Sequence, residues 1–115
     1  MESVLVPQAA RGASRGGSVM EGAQLDFHLT PFRAQRFVDL YRPAIARPLS
    51  YGATGYLFYR SEDDSDHFVH MSFWEERAGF DSWWLSREMQ QIRVAVSGLH
   101  GQPLLPHWHT VLERA

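Results

Sequence analysis

Residues Tyr56–Trp74 read YLFYRSEDDSDHFVHMSFW. Two runs rich in aromatic residues, Tyr56–Arg60 and Phe68–Trp74, flank the acidic stretch Ser61–Asp66, the pattern of a β-hairpin whose tip stays in water. A central hairpin constrains what lies on either side. Upstream, Leu25, Phe27 and Leu29 alternate with Asp26, His28 and Thr30, the two-residue period of a strand over 23–30 with one apolar and one polar face. Thr30 as N-cap and Pro31 as first helical residue, followed by Phe37, Leu40 and Tyr41 at spacings of three and four, predict a helix that Pro43, Pro48 and Gly52 bring to an end.

Downstream, residues 77–97 are helical in composition but carry no single apolar stripe. At 100° per residue Phe80, Trp83 and Trp84 point one way, while Leu85, Met89, Ile92 and Val96 point roughly opposite. One straight helix exposes one of the two sets. A break near Ser86, which can cap a new helix, turns both inward, so two short helices are predicted, closed by Gly98 and Gly101. Alternation over Leu104–Leu112 predicts a last strand, at an edge or a bulge because of Pro106.

The element order is β-α-β-β-α-β, an α+β, ferredoxin-like plan. Right-handed crossovers give an antiparallel sheet of order 4-1-3-2 with the helices on one face. The other face is left bare, and a second copy of the chain is its simplest cover, so a homodimer is expected.

Composition removes several classes of function. With 44% apolar and 21% charged residues over 115 positions, one compact domain is expected. No cysteine means no disulfide, no thiolate chemistry and no Cys-based zinc site, and it suits a cytoplasmic location. Eleven basic against thirteen acidic residues, net −2, leave no footprint for nucleic acid. No apolar run approaches the roughly 20 residues that span a bilayer, so no membrane partner is expected. Residues 1–22, small and rich in Gly, Ser, Ala and Arg, read as a flexible arm before a domain at 23–115, with Met20 as an alternative start and no h-region of a signal peptide.

The run Phe68-Val69-His70-Met71-Ser72-Phe73-Trp74-Glu75, followed by Phe80 and Trp83-Trp84, resembles the signature of the antibiotic biosynthesis monooxygenase superfamily: a third strand ending in Trp and an acidic residue, then a helix carrying Phe and, three residues on, Trp. The resemblance spans about 23–113 and implies a dimeric α/β barrel with a hydrophobic pocket between sheet and helices. In that superfamily some members are cofactor-independent oxygenases of polycyclic phenols or quinols, others degrade haem, and many have no known activity. The haem-degrading branch pairs the Trp matched by Trp83 with an Asn on strand one and a His nine residues after the Trp. Asp26 and Ile92 stand at those places, which argues against haem degradation.

The candidate site follows from these placements. Trp74, Trp83, Trp84 and Phe80, with Trp108, are expected to wall a pocket for a flat aromatic molecule, or else to be core and interface packing. His28, His70 and either His107 or His109 can share one sheet face with Asp26 beside His28, if the register allows; a one-residue slip moves a histidine to the opposite face. A neutral His28 or His70 would take a phenol proton and Asp26 would orient it, while His107 and His109 would line the substrate. The same imidazoles as ligands would suit zinc or iron, but their spacing matches no metal motif and none is assigned as a ligand. Structural or surface histidines remain the third reading.

The acidic tip lacks the spacing and glycine of a calcium loop, and Arg87 and Arg93 read as exposed helix arginines. No phosphate-binding glycine loop or Rossmann fingerprint is present, and Ser72 and Ser86 have no evident base, so no cofactor and no hydrolytic nucleophile are expected. Three functions stay open: a cofactor-independent monooxygenase acting on a small aromatic molecule, a non-catalytic dimeric barrel binding a small apolar ligand, and a histidine-based metal enzyme.

Overall fold

The computed structural model describes residues 20–115; residues 1–19, and with them most of the expected arm, lie outside the described residues. The order is β1 (Glu21–His28), α1 (Ala34–Ile45), a 3₁₀ turn (Arg47–Tyr51), β2 (Gly55–Arg60), β3 (His67–Trp74), α2 (Arg77–Trp84), α3 (Arg87–Val96) and β4 (His107–Thr110). The strands form one antiparallel sheet, β2-β3-β1-β4, the expected 4-1-3-2 read from the other edge. β1 starts at Glu21, two residues before the expected strand, and β4 keeps only four of the nine residues expected of it.

The strand alternation sorts side chains as read. Ala23, Leu25 and Phe27 of β1 are fully buried toward the helices, whereas Gln24, Asp26 and His28 lie half-buried on the opposite face. Against the buried row pack Phe37 and Tyr41 of α1, with ring centroids 4.7 and 4.8 Å from Phe27. Phe68, Phe58, Trp74, Phe80, Trp83, Met89 and Val96 extend this layer into one core.

The break falls at Ser86. Its hydroxyl donates to the Trp83 carbonyl at 2.7 Å and accepts the Met89 N–H at 3.2 Å, so one side chain ends α2 and caps α3. Phe80, Trp83, Met89 and Val96 are thereby all buried. Leu85, expected inward, is exposed because it sits at the joint itself, where the chain changes direction. Gly79 is needed for close approach: a Cβ there would stand 2.5 Å from the Tyr51 carbonyl oxygen and 2.9 Å from the Trp74 ring.

Two local expectations fail. Thr30 does not cap α1; its N–H donates to the Leu99 carbonyl, and the chain turns through Phe32, a non-glycine residue at φ +68°, before Arg33 opens the helix. Pro43 does not end α1 but lies within its last turn, where the exposed Asp39 carbonyl that loses its N–H partner can face water. No helix among the described residues is long and apolar enough to cross a membrane.

Candidate functional site

Register decides which chemistry the sheet presents. β1 and β3 pair Leu25 with His70, Asp26 with Val69, and His28 with His67; β1 and β4 pair Gln24 with His107 and Gly22 with His109. Cross-strand partners share a face, so the bare face carries Gln24, Asp26, His28, His67, His107 and His109 on one side. Val69, Met71, Phe73, Leu57 and Tyr59 of β3 and β2 fill the other side of that face. The bare face is thus divided into a polar half on β1 and β4 and an apolar half on β2 and β3, with His67 extending the polar half onto β3.

At the centre of the polar half stands Asp26. Its Oδ1 accepts from His67 Nε2 at 2.8 Å and its Oδ2 from the Gln24 amide at 2.8 Å, and Gln24 Oε1 in turn accepts from His109 Nε2 at 2.9 Å. The His28 ring lies on the His67 ring, centroids 4.2 Å apart and planes within 17°. Burial pushes the Asp26 carboxyl up, but the hydrogen bonds from His67 and Gln24 and the nearby imidazoles outweigh it and hold the group below the usual carboxylate range. The carboxylate therefore stays ionised and fixes His67 with its Nε2 proton toward Asp26, which leaves Nδ1 as the basic nitrogen.

His70 has the opposite surroundings. It is 1% exposed on the helix side of β3, with Nε2 donating to the Ile45 carbonyl at 2.9 Å and Nδ1 accepting from the Tyr41 hydroxyl at 2.6 Å. Burial lowers its pKa to about 4 against the partial opposition of the Ile45 hydrogen bond, so the ring is neutral at physiological pH. The expected convergence of His28, His70 and a β4 histidine on one face is corrected: His70 faces the helices and its two nitrogens are taken, while Asp26, His28, His107 and His109 lie across the sheet from it.

The tryptophans divide likewise. Trp74 and Trp83 are 1% exposed and Phe80 is 2% exposed, packed edge to face with centroids 5.6–5.9 Å apart. Trp74 spends its N–H on Ser72 Oγ at 2.8 Å, and Trp83 sets its ring edge on to His70 at 5.7 Å. The structure gives these three to core packing and fills with them the layer in which a sheet-to-helix pocket was expected. Trp84 and Trp108 are half-buried at the rim, each under a guanidinium: Arg93 lies 4.0 Å above Trp84 and Arg77 lies 4.3 Å above Trp108. All five are thus separated by the sheet from the Asp26 group.

Sequence reading missed His67, which begins β3 opposite His28. The available signal was its position one residue before the aromatic run, with the parity of Val69 and Met71 rather than that of His70.

No family model matches the sequence, and no curated protein matches it. Solved structures do. A protein from Nitrosomonas europaea provisionally named an antibiotic biosynthesis monooxygenase superposes with a TM-score of 0.75 at 14% identity, covering 83% of this chain and 92% of its own. Rv0793 from Mycobacterium tuberculosis gives 0.73 at 20% identity over 84% and 98% of the two chains. A structure named an antibiotic biosynthesis monooxygenase gives 0.72 at 15% identity over 81% and 99%. At such identities the likeness establishes the fold, which is that of these proteins.

Proposed function

We propose that this chain is an oxygenase of the antibiotic biosynthesis monooxygenase superfamily, working as a homodimer without a cofactor on a small phenol- or quinol-type aromatic molecule held on the bare sheet face. The observation that carries this reading is the 2.8 Å Asp26–His67 hydrogen bond beside the stacked His28 ring, on half-buried surface next to an apolar strip. The fold shared with structures named for such monooxygenases supports it.

In this reading Leu57, Tyr59 and Met71 support the substrate ring, and its hydroxyl meets the polar half of the face. His67, oriented by the ionised Asp26, accepts the phenol proton on Nδ1; the resulting imidazolium is stabilised by the same carboxylate. The phenolate, richer in electrons than the phenol, forms a carbon–oxygen bond with dioxygen at a ring carbon; the O–O bond then breaks, one oxygen stays as a quinone carbonyl and the other leaves as water with the ring and hydroxyl hydrogens, all four electrons coming from the substrate. A second sheet laid over the face excludes water and strengthens the Asp26–His67 interaction. The aromatic layer around Trp83 and His70 acts as scaffold.

Oxygen uptake with metal-stripped protein and a panel of phenols and hydroquinones tests the reading: uptake above buffer for at least one compound is expected, and none for any compound overturns it. Sedimentation at tens of micromolar is expected to give the mass of two chains; a monomer overturns the dimer. A second reading, a non-catalytic barrel that holds an apolar ligand, is favoured by the exposure of Leu57 and Tyr59, 54% and 48%. Tryptophan or tyrosine quenching with quantitative recovery of unchanged ligand would select it.

A further inference from the structure

The Asp26 group has a property that base catalysis does not use. Its three members bring metal-binding atoms close together: one ligand atom from each of Asp26, His28 and His67, a carboxylate oxygen and two imidazole nitrogens, lie within 4.8 Å of one another, all half-buried. We propose that Asp26, His28 and His67 form a binding site for one first-row divalent cation of the zinc type, with a further coordination position facing away from the sheet, toward the second sheet that the proposed homodimer lays over this face.

The geometry needs little change. A tetrahedral cation with bonds of about 2.0–2.1 Å holds its donors roughly 3.3 Å apart, so the farthest pair must close by at most about 1.5 Å. Asp26 Oδ1 and His67 Nε2 are already 2.8 Å apart. In the stacked arrangement the two ring planes are within 17° of parallel, and nitrogen lone pairs lie in those planes, so the His28 ring must rotate for both to address one ion. No side-chain hydrogen bond among the described residues restrains the His28 ring, and the residue is half-buried, so this rotation breaks only the stack. The backbone positions are fixed: Asp26 and His28 are two apart on β1, and His67 is the cross-strand partner of His28.

The surroundings also suit a cation. Gln24 donates to the second carboxylate oxygen of Asp26 and is itself held by His109, the kind of outer hydrogen bond that orients a ligating carboxylate. Two imidazoles and one carboxylate favour zinc, cobalt, nickel or iron(II) over magnesium and calcium, which prefer oxygen donors throughout. Binding through Nε2 shifts the single proton of the neutral His67 ring to Nδ1, the nitrogen the base role needs free, and replaces the hydrogen bond to Asp26 with metal bonds. Metal occupancy and the base role of His67 therefore exclude one another, and zinc is expected to inhibit any oxygen uptake reversibly.

Cobalt(II) chloride titrated into the metal-stripped full chain at pH 7.5 tests the site. Expected are visible bands of tetrahedral or five-coordinate intensity saturating at one ion per chain and displaced by zinc, with affinity at least 10-fold weaker in His28→Asn and in Asp26→Asn and unchanged in His100→Asn. Imidazole resonances of His28 and His67 shifting together with zinc in the unaltered protein give a readout that needs no variant. Absence of the bands at millimolar cobalt, binding that survives both substitutions, or binding lost equally in His100→Asn overturns the proposal. Binding is read from stoichiometry and spectra, the oxygenase reading from oxygen uptake, so either can fail without the other.

Discussion

His67 and His70 stand three residues apart on β3 and point to opposite faces of the sheet. His70 is sealed among Tyr41, Phe58 and Trp83, with both ring nitrogens hydrogen-bonded and its pKa held near 4. His67 keeps a quarter of its side chain exposed, and its one side-chain hydrogen bond among the described residues goes to an ionised carboxylate. Residue type is the same and the strand is the same, so parity along the strand sets the chemistry. The helix face has converted a titratable group into a structural one, whereas the bare face keeps its groups accessible, paired and unshielded by helices.

The largest effects that would break this contrast lie on the helix face. Trp83→Ala removes a ring that touches His70, Phe80 and Trp84, and is expected to cost about 3–5 kcal/mol in denaturant unfolding. A loss under 1 kcal/mol would mean that the layer is loosely packed and has room for a ligand after all.

Acid comes next. Between pH 6.5 and about 4 the unfolded chain binds a proton at His70 that the folded chain does not, so stability is full above 6.5 and falls as pH drops toward 4. At roughly 1.4 kcal/mol per pH unit of pKa difference, this amounts to about 3 kcal/mol. Urea midpoints measured from pH 7 to pH 4 check it. A His70→Gln variant, if it folds, should lose that part of the pH slope. Tyr41→Phe is milder, leaving His70 Nδ1 buried without a donor at a cost of about 1–3 kcal/mol; a neutral result would show that the nitrogen finds another partner.

The contrast between faces was half legible in the sequence. Alternation of Leu25 and Phe27 with Asp26 and His28 assigns the β1 faces without any structure, and the two opposed stripes of residues 77–97 locate the joint at Ser86, a favoured N-cap residue lying where one stripe gives way to the other. What a single strand cannot reveal is its register against another. The pairing of His28 with His67 rather than beside His70 depends on how the chain returns through α1, the 3₁₀ turn and β2, and those turns hold surprises such as the left-handed Phe32. Site residues on different strands therefore depended on the one quantity that alternation does not encode.

On the bare face the expected effects on stability are the smallest and those on activity the greatest. His28→Asn exchanges one half-buried polar ring for a shorter polar side chain and should change stability by no more than about 0.5 kcal/mol. His67→Asn loses the hydrogen bond to Asp26 in a partly solvated setting and should cost about 1 kcal/mol or less. If His67 is the base, the same substitution lowers oxygen uptake by about 10²-fold or more, the usual contribution of a positioned proton acceptor, while leaving the unfolding transition nearly in place. A large loss of stability with activity retained per folded molecule would reverse the assignment, making His67 a structural histidine like His70 and erasing the chemical difference between the two faces.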